Sequence, residues 1–156
     1  MYKRILAPID GSATAALGLQ EAIKLAKCYG SQLRLINIVD ELPVLSPLLV
    51  AAATADMVIA QLRSAGESIL EDGVAAARDA GVQVDSKLLE EMGSQVGVYI
   101  LREAEAWPAD LIVCGTHGRR GIRRVVMGSD AEYVVRRSSV PVLLVPDQVT
   151  AARKVA

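Results

Sequence analysis

"ADLIVCGTHGRRGIRRVVMGSDAEYVVRR" (residues 109–137) is the stretch that decides the fold. Its first seven residues, Ala109 to Gly115, form a short apolar run of the kind that makes a strand covered on both faces. Its last nine, Ser129 to Arg137, start with a helix-initiating polar pair and finish on Arg136 and Arg137, where the negative end of a helix dipole favours cations. Between them, Gly115 to Ser129 hold four glycines and five arginine or histidine side chains, a composition unable to pack a core. Strand, glycine-rich connection and helix in that order make a βα unit, and the rest of the chain repeats it.

Upstream, "KRILAPI" (3–9) is a strand that stops at Pro8, and Ser12 stands at a helix N-cap position. Ala15, Leu19, Ala22, Ile23 and Ala26 recur at helical spacing up to Gly30, so the first helix is expected over about 13–29. "QLRLINIVD" (32–40) reads as the second strand. A second helix is predicted over 56–80, with Gly81 as its stop. "VQVDSKLLE" (82–90) alternates in polarity and is expected at a sheet edge, and Ser94 is placed as the cap of a helix running to about Glu105. "VPVLLVP" (140–146) is the last strand. Regular alternation of strand and helix calls for an open α/β fold with a parallel sheet and helices on both faces. In such sheets ligands sit beyond the carboxyl ends of the strands where strand order reverses, which points to Pro8–Ser12, Ile38–Asp40 and the segment from Gly115 onward.

With 156 residues the chain is the size of one domain, expected over 1–147, with a flexible tail over 148–156. Hydrophobic residues are 52% of it with no Phe, so Leu, Ile, Val and Ala must build the core. The net charge of −1 gives no global field to gather nucleic acid, and the arginine-rich stretch lacks interleaved aromatic rings, so nucleic acid is not expected as a partner. The most apolar region (43–60) is interrupted by Pro47, Thr54 and Asp56 and falls short of the roughly 20 residues of a membrane span. It reads as a loop entering a buried or dimer-facing helix, without membrane insertion. Cys28 and Cys114, far apart in sequence, are expected as reduced, buried thiols, and with no export signal legible at the start a cytoplasmic location is expected.

Gly115, Gly118, Gly128 and Ser129 form G-x-x-G-x9-G-S, from the end of one predicted strand to the start of the next helix. Glycines there permit close approach of an oxyanion to backbone amides, and a helix start carries about half a positive charge. Neither a Walker loop nor the dinucleotide G-x-G-x-x-G is present. Spacing by itself leaves two readings open: a phosphate cradle, or a long βα connection that uses glycine only to turn. Asp10 has the best claim on a metal, since Mg²⁺ takes one or two carboxylates together with phosphates and water. His117 has no orienting carboxylate or nucleophile assigned to it, and Arg119, Arg120, Arg123 and Arg124 are expected as a solvated loop with at most one phosphate contact. Trp107 is expected against a sheet edge.

"LAPIDGS", "GTHGRRGIRRVVMGS" and "AEYVVRRSSVPVLLV", in this order and spacing, together resemble the universal stress protein family over essentially the whole chain. The resemblance implies a Rossmann-like five-stranded sheet of order 3-2-1-4-5, dimerisation through the last strand (140–145), and membership of the branch whose intact glycine motif binds ATP, with ADP or AMP as further adenylates. It implies Pro8 and Asp10 at the first strand end, with Asp10 near the ribose or a phosphate-bound Mg²⁺, and Ile38 beside the adenine. Cys114 and Gly115 would line the nucleotide, Thr116 and Gly118 would approach the phosphates, and Gly128, Ser129 and Asp130 would hold them. The side chain of Asp130 either turns to solvent or helps hold Mg²⁺; solvent is expected, leaving its amide for phosphate.

Three functions follow as alternatives: a nucleotide-dependent regulatory dimer, possible also as a tetramer, read by a partner protein; a slow metal-dependent ATP hydrolase or nucleotidyl transferase; and a dimerisation module with an unused site.

Overall fold

In the computed structural model, residues 1–40, 52–91, 95–116 and 127–146 are described. The elements run β1 (Arg4–Pro8), α1 (Ala13–Tyr29), β2 (Gln32–Asp40), α2 (Ala52–Asp79), β3 (Val84–Glu91), α3 (Val96–Ala106), β4 (Leu111–Gly115), α4 (Ser129–Arg137) and β5 (Val142–Val145). The five strands pair in parallel throughout in the order β3-β2-β1-β4-β5. The fold is therefore the Rossmann-like α/β sandwich expected from the sequence, with the alternating strand β3 at an edge.

Each strand shows why both faces are covered. Ile5 and Ala7 of β1, Leu33 and Leu35 of β2, and Leu111 and Val113 of β4 pack with Ala22 and Ala26 of α1 and Leu70 and Ala77 of α2. The intervening Leu6, Ile36 and Ile112 pack with Ile100 and Ala104 of α3 and Val134 of α4. Alternate residues on a strand point to opposite faces, so an unbroken apolar run feeds two cores. The chain builds outward from β1 through β2 to β3, then returns to the other side of β1 for β4 and β5. With crossovers of one hand, that reversal sends α3 and α4 to the face opposite α1 and α2.

Local signals set the first βα unit. Gly11 adopts φ +80°, a conformation that L side chains rarely take, and turns the chain off β1. Ser12 caps α1 by accepting from the Ala15 amide at 3.2 Å, and Gly30, at φ 66°, ends the helix in left-handed geometry. At α3 the cap is Gln95, not Ser94, which lies outside the described residues; Gln95 makes no side-chain capping bond.

Other sequence expectations are corrected. Helix α2 begins at Ala52, four residues before the expected start at 56, and its Met57 is 73% exposed, so this part of the apolar 43–60 region is not buried within the chain; 41–51 lie outside the described residues. Cys28 is exposed; Cys114 is buried as expected. Trp107 packs in the α3/α4 core beneath the Arg34 guanidinium of β2, 4.7 Å from its ring centre, which places it over the sheet rather than at its edge.

That contact belongs to an ion network the sequence did not reveal. Arg34 donates to both carboxylate oxygens of Asp85 at 2.7 Å and to Glu103 at 2.9 Å, while Lys87 donates to the other Glu103 oxygen at 2.6 Å. Glu103 is buried on α3, and the network ties that helix to β2 and β3.

Candidate functional site

Where strand order reverses, between the carboxyl ends of β1 and β4, a cavity of about 470 Å³ opens. That volume and position suit a small-molecule ligand. Its wall contains Pro8 and Asp10 from the end of β1, Ile38 from β2, Cys114, Gly115 and Thr116 from β4 and the residue after it, and Gly128, Ser129 and Asp130 from the start of α4. Nine of the ten nominated residues are thus brought together; Gly118 lies outside the described residues, as do His117 and Arg119 to Arg124.

The β1 side is shaped by its turn. The Asp10 carboxylate accepts from the Ser12 amide at 3.0 Å, which holds it at the mouth of the strand. The β2 side brings in a residue that the reading of motifs passed over. Asn37, 5% exposed, donates from Nδ2 to the Ile9 carbonyl at 2.7 Å and lines the same wall. Its signal was available: a lone amide inside "LINIV" has to find a buried partner. Asp40, at the end of β2, lines the cavity too.

Among the described residues of the glycine motif, two backbone amides already have partners within the chain. The Thr116 amide donates to the Val145 carbonyl at 3.1 Å, and the Gly128 amide donates to the Thr116 carbonyl at 2.9 Å. Thr116 and Gly128 are therefore fastened to each other, and both of those amides are engaged by the chain itself. Gly115 lies in strand backbone, and a Cβ placed there would sit 2.8 Å from the carbonyl carbon and oxygen of Thr14. Its missing side chain lets the first turn of α1 close onto β4.

Among the described residues, the start of α4 is open to an anion. Gly128 is its N-cap and supplies no side-chain acceptor, so the amides of Ser129, Asp130 and Ala131 have no partner within the helix. These donors, with the helix dipole behind them, face a cavity.

The Asp130 side chain does not turn to solvent. Its Oδ1 accepts from the Gly97 amide at 3.2 Å, in the first turn of α3. Gln95 leaves that helix without a side-chain cap, so a carboxylate from the adjacent helix takes the role. Gln95 in turn donates to the Ser129 carbonyl at 3.2 Å, and a Cβ on Gly97 would meet the Tyr133 ring at 2.9 Å, so the two helix starts interlock. Cys114 is desolvated, which pushes its thiol pKa up to about 11 and keeps it neutral at ordinary pH.

Fold and cavity together define a class: an open, doubly wound α/β domain with a ligand-sized crevice at its switch point and an uncapped helix start facing it. Comparison with known proteins makes this specific. Residues 1–146 match the model of the universal stress protein family, and the chain belongs to that family. A universal stress protein of Methanocaldococcus jannaschii is 32% identical over 145 residues, spanning 93% of this chain and 82% of that protein. A family member from Burkholderia pseudomallei, of known structure, is 29% identical with a TM-score of 0.76 over 94% of this chain and 97% of its own. An Archaeoglobus fulgidus universal stress protein solved in complex with dAMP superposes with a TM-score of 0.64 at 21% identity, covering 92% of this chain and 98% of that one.

Proposed function

We propose that the chain is a nucleotide-responsive regulatory protein that binds ATP, with ADP and AMP as further occupants, in the cavity between β1 and β4. The observation that carries this reading is the uncapped start of α4 opening into a crevice of ligand size at the switch point. The dAMP complex of the Archaeoglobus relative supports an adenylate. In this reading the amides of Ser129, Asp130 and Ala131 receive phosphate, Asp10 approaches the ribose or a cation, and Ile38 flanks the base. Among the described residues no three His, Cys, Asp or Glu side chains gather closely enough to hold a metal ion. In this reading Mg²⁺ would arrive with the phosphates and take Asp10 as a carboxylate ligand, the hard-oxygen coordination it favours.

β5 is the last strand of the sheet, and its four residues are all only partly buried. An apolar edge strand is a liability, so pairing of 140–145 with a second copy closes it and forms the homodimer that presents the nucleotide state to a partner protein. Action in the cytoplasm is part of this proposal; separately, no helix among the described residues is long and apolar enough to cross a membrane.

The test is thermal unfolding with and without nucleotide. Ligand at about a hundredfold above its Kd stabilises by roughly 2.7 kcal/mol. No shift with millimolar ATP, ADP or AMP, with or without Mg²⁺, would overturn the reading. Sedimentation at the mass of one chain would overturn the dimer.

A further inference from the structure

We infer that Asp130 sets the ligand charge the cavity accepts, selecting against a triphosphate that carries no metal relative to a monophosphate. The inference rests on the nucleotide reading above and deepens it. Among the described residues lining the cavity there are three carboxylates, Asp10, Asp40 and Asp130, and no Lys, Arg or His. Asp130 alone of the three stands within the helix turn whose amides offer the anion site.

Its charge is held in place. Oδ1 accepts from the Gly97 amide at 3.2 Å, and Gln95 at the α3 N-cap makes no side-chain capping bond, so swinging the carboxylate outward would take this partner from the Gly97 amide. The bond from Gln95 to the Ser129 carbonyl and the close approach of Gly97 to Tyr133 fix the same corner. A bound phosphate therefore meets the helix dipole together with a fixed negative charge. The dipole attracts and the carboxylate repels, and both effects act over the first turn.

The repulsion scales with ligand charge. ATP without metal carries about four negative charges, whereas AMP and Mg-ATP carry about two, so the opposing free energy roughly doubles for bare ATP. A doubled free energy squares the affinity factor: a change of about threefold for AMP becomes about tenfold for ATP.

Asp130→Asn removes the charge and keeps an amide oxygen able to accept from Gly97, and Asp130→Ser serves the same end if the first variant folds poorly. Calorimetric titrations would use AMP, ATP in EDTA, and ATP with Mg²⁺. The expected result is tighter binding of ATP in EDTA by about tenfold, and of AMP and Mg-ATP by about threefold each. The melting temperature without nucleotide should stay near that of the unmodified protein. Equal factors for all three ligands overturn the inference, as does no change. A selective loss of Mg-ATP binding also overturns it and assigns the carboxylate to the cation. If the unmodified protein binds none of the three, the nucleotide reading fails with it; if it binds them and the variant keeps their ratio, only this inference fails.

Discussion

Gly115→Ala separates two explanations of a motif glycine. If Gly115 were needed for phosphate to approach, Ala would weaken ligand binding and leave the free protein intact or slightly better, since Gly in extended backbone costs about 0.5–1 kcal/mol relative to Ala. The geometry demands the opposite. The new Cβ would lie 2.8 Å from both the carbonyl carbon and the oxygen of Thr14, and 3.1 Å from its Cβ. Two of those atoms are backbone, so no rotamer change relieves the contact. Gly18 of α1 approaches the Gly115 amide from the same side, where even its own added Cβ would be 3.3 Å away, leaving α1 little room to retreat. Overpacking of this kind costs about 1–3 kcal/mol, and with two backbone contacts at 2.8 Å the upper part of that range applies, so after a backbone gain of about 0.5–1 kcal/mol the net loss is about 1–2.5 kcal/mol. For a chain of this size each kcal/mol moves the melting temperature by about 2–4 °C, so a fall of several degrees is expected without nucleotide. Urea denaturation followed by circular dichroism should show a lower midpoint at unchanged slope. A variant as stable as the unmodified protein that binds nucleotide poorly would refute the packing argument and restore the phosphate explanation.

The remaining predictions concern other parts of the molecule. Iodoacetamide on the native protein should label exposed Cys28 quickly and spare buried Cys114, as peptide mass mapping would show; equal labelling contradicts the burial. Because burial raises the Cys114 pKa from 9.0 to about 11, its contribution is complete below pH 9 and is lost as pH climbs toward 11, at up to about 1.4 kcal/mol per unit. Cys114→Ala should therefore flatten the alkaline limb of stability against pH. Glu103→Ala leaves Arg34 and Lys87 without their shared buried partner, and with Asp85 still on Arg34 and Lys87 half exposed the loss should be about 2–3 kcal/mol in chemical denaturation. Ser12→Ala removes the α1 cap and should cost about 1 kcal/mol, which a change within error of zero would contradict.

The sequence by itself determined the order of elements, because apolar periodicity and the residues that start and stop helices are local properties. Runs such as "ADLIVCG" and the Ser12 and Gly30 signals placed β4 and α1 to within a residue or two. It also nominated the corners at Pro8–Ser12, Ile38–Asp40 and from Gly115 onward, because a parallel sheet puts the ends of its strands on one side. The tertiary structure decided what those residues do to one another. Gly115 serves the approach of α1, the amides of Thr116 and Gly128 are engaged within the chain, and Asp130 caps a helix to which it does not belong. Glu103 finds Arg34 and Lys87 from other elements, and Asn37 finds the Ile9 carbonyl just past the end of β1. Each of these partnerships joins groups distant in the chain, and a hydrogen bond depends on distance in space, which no spacing along the sequence encodes.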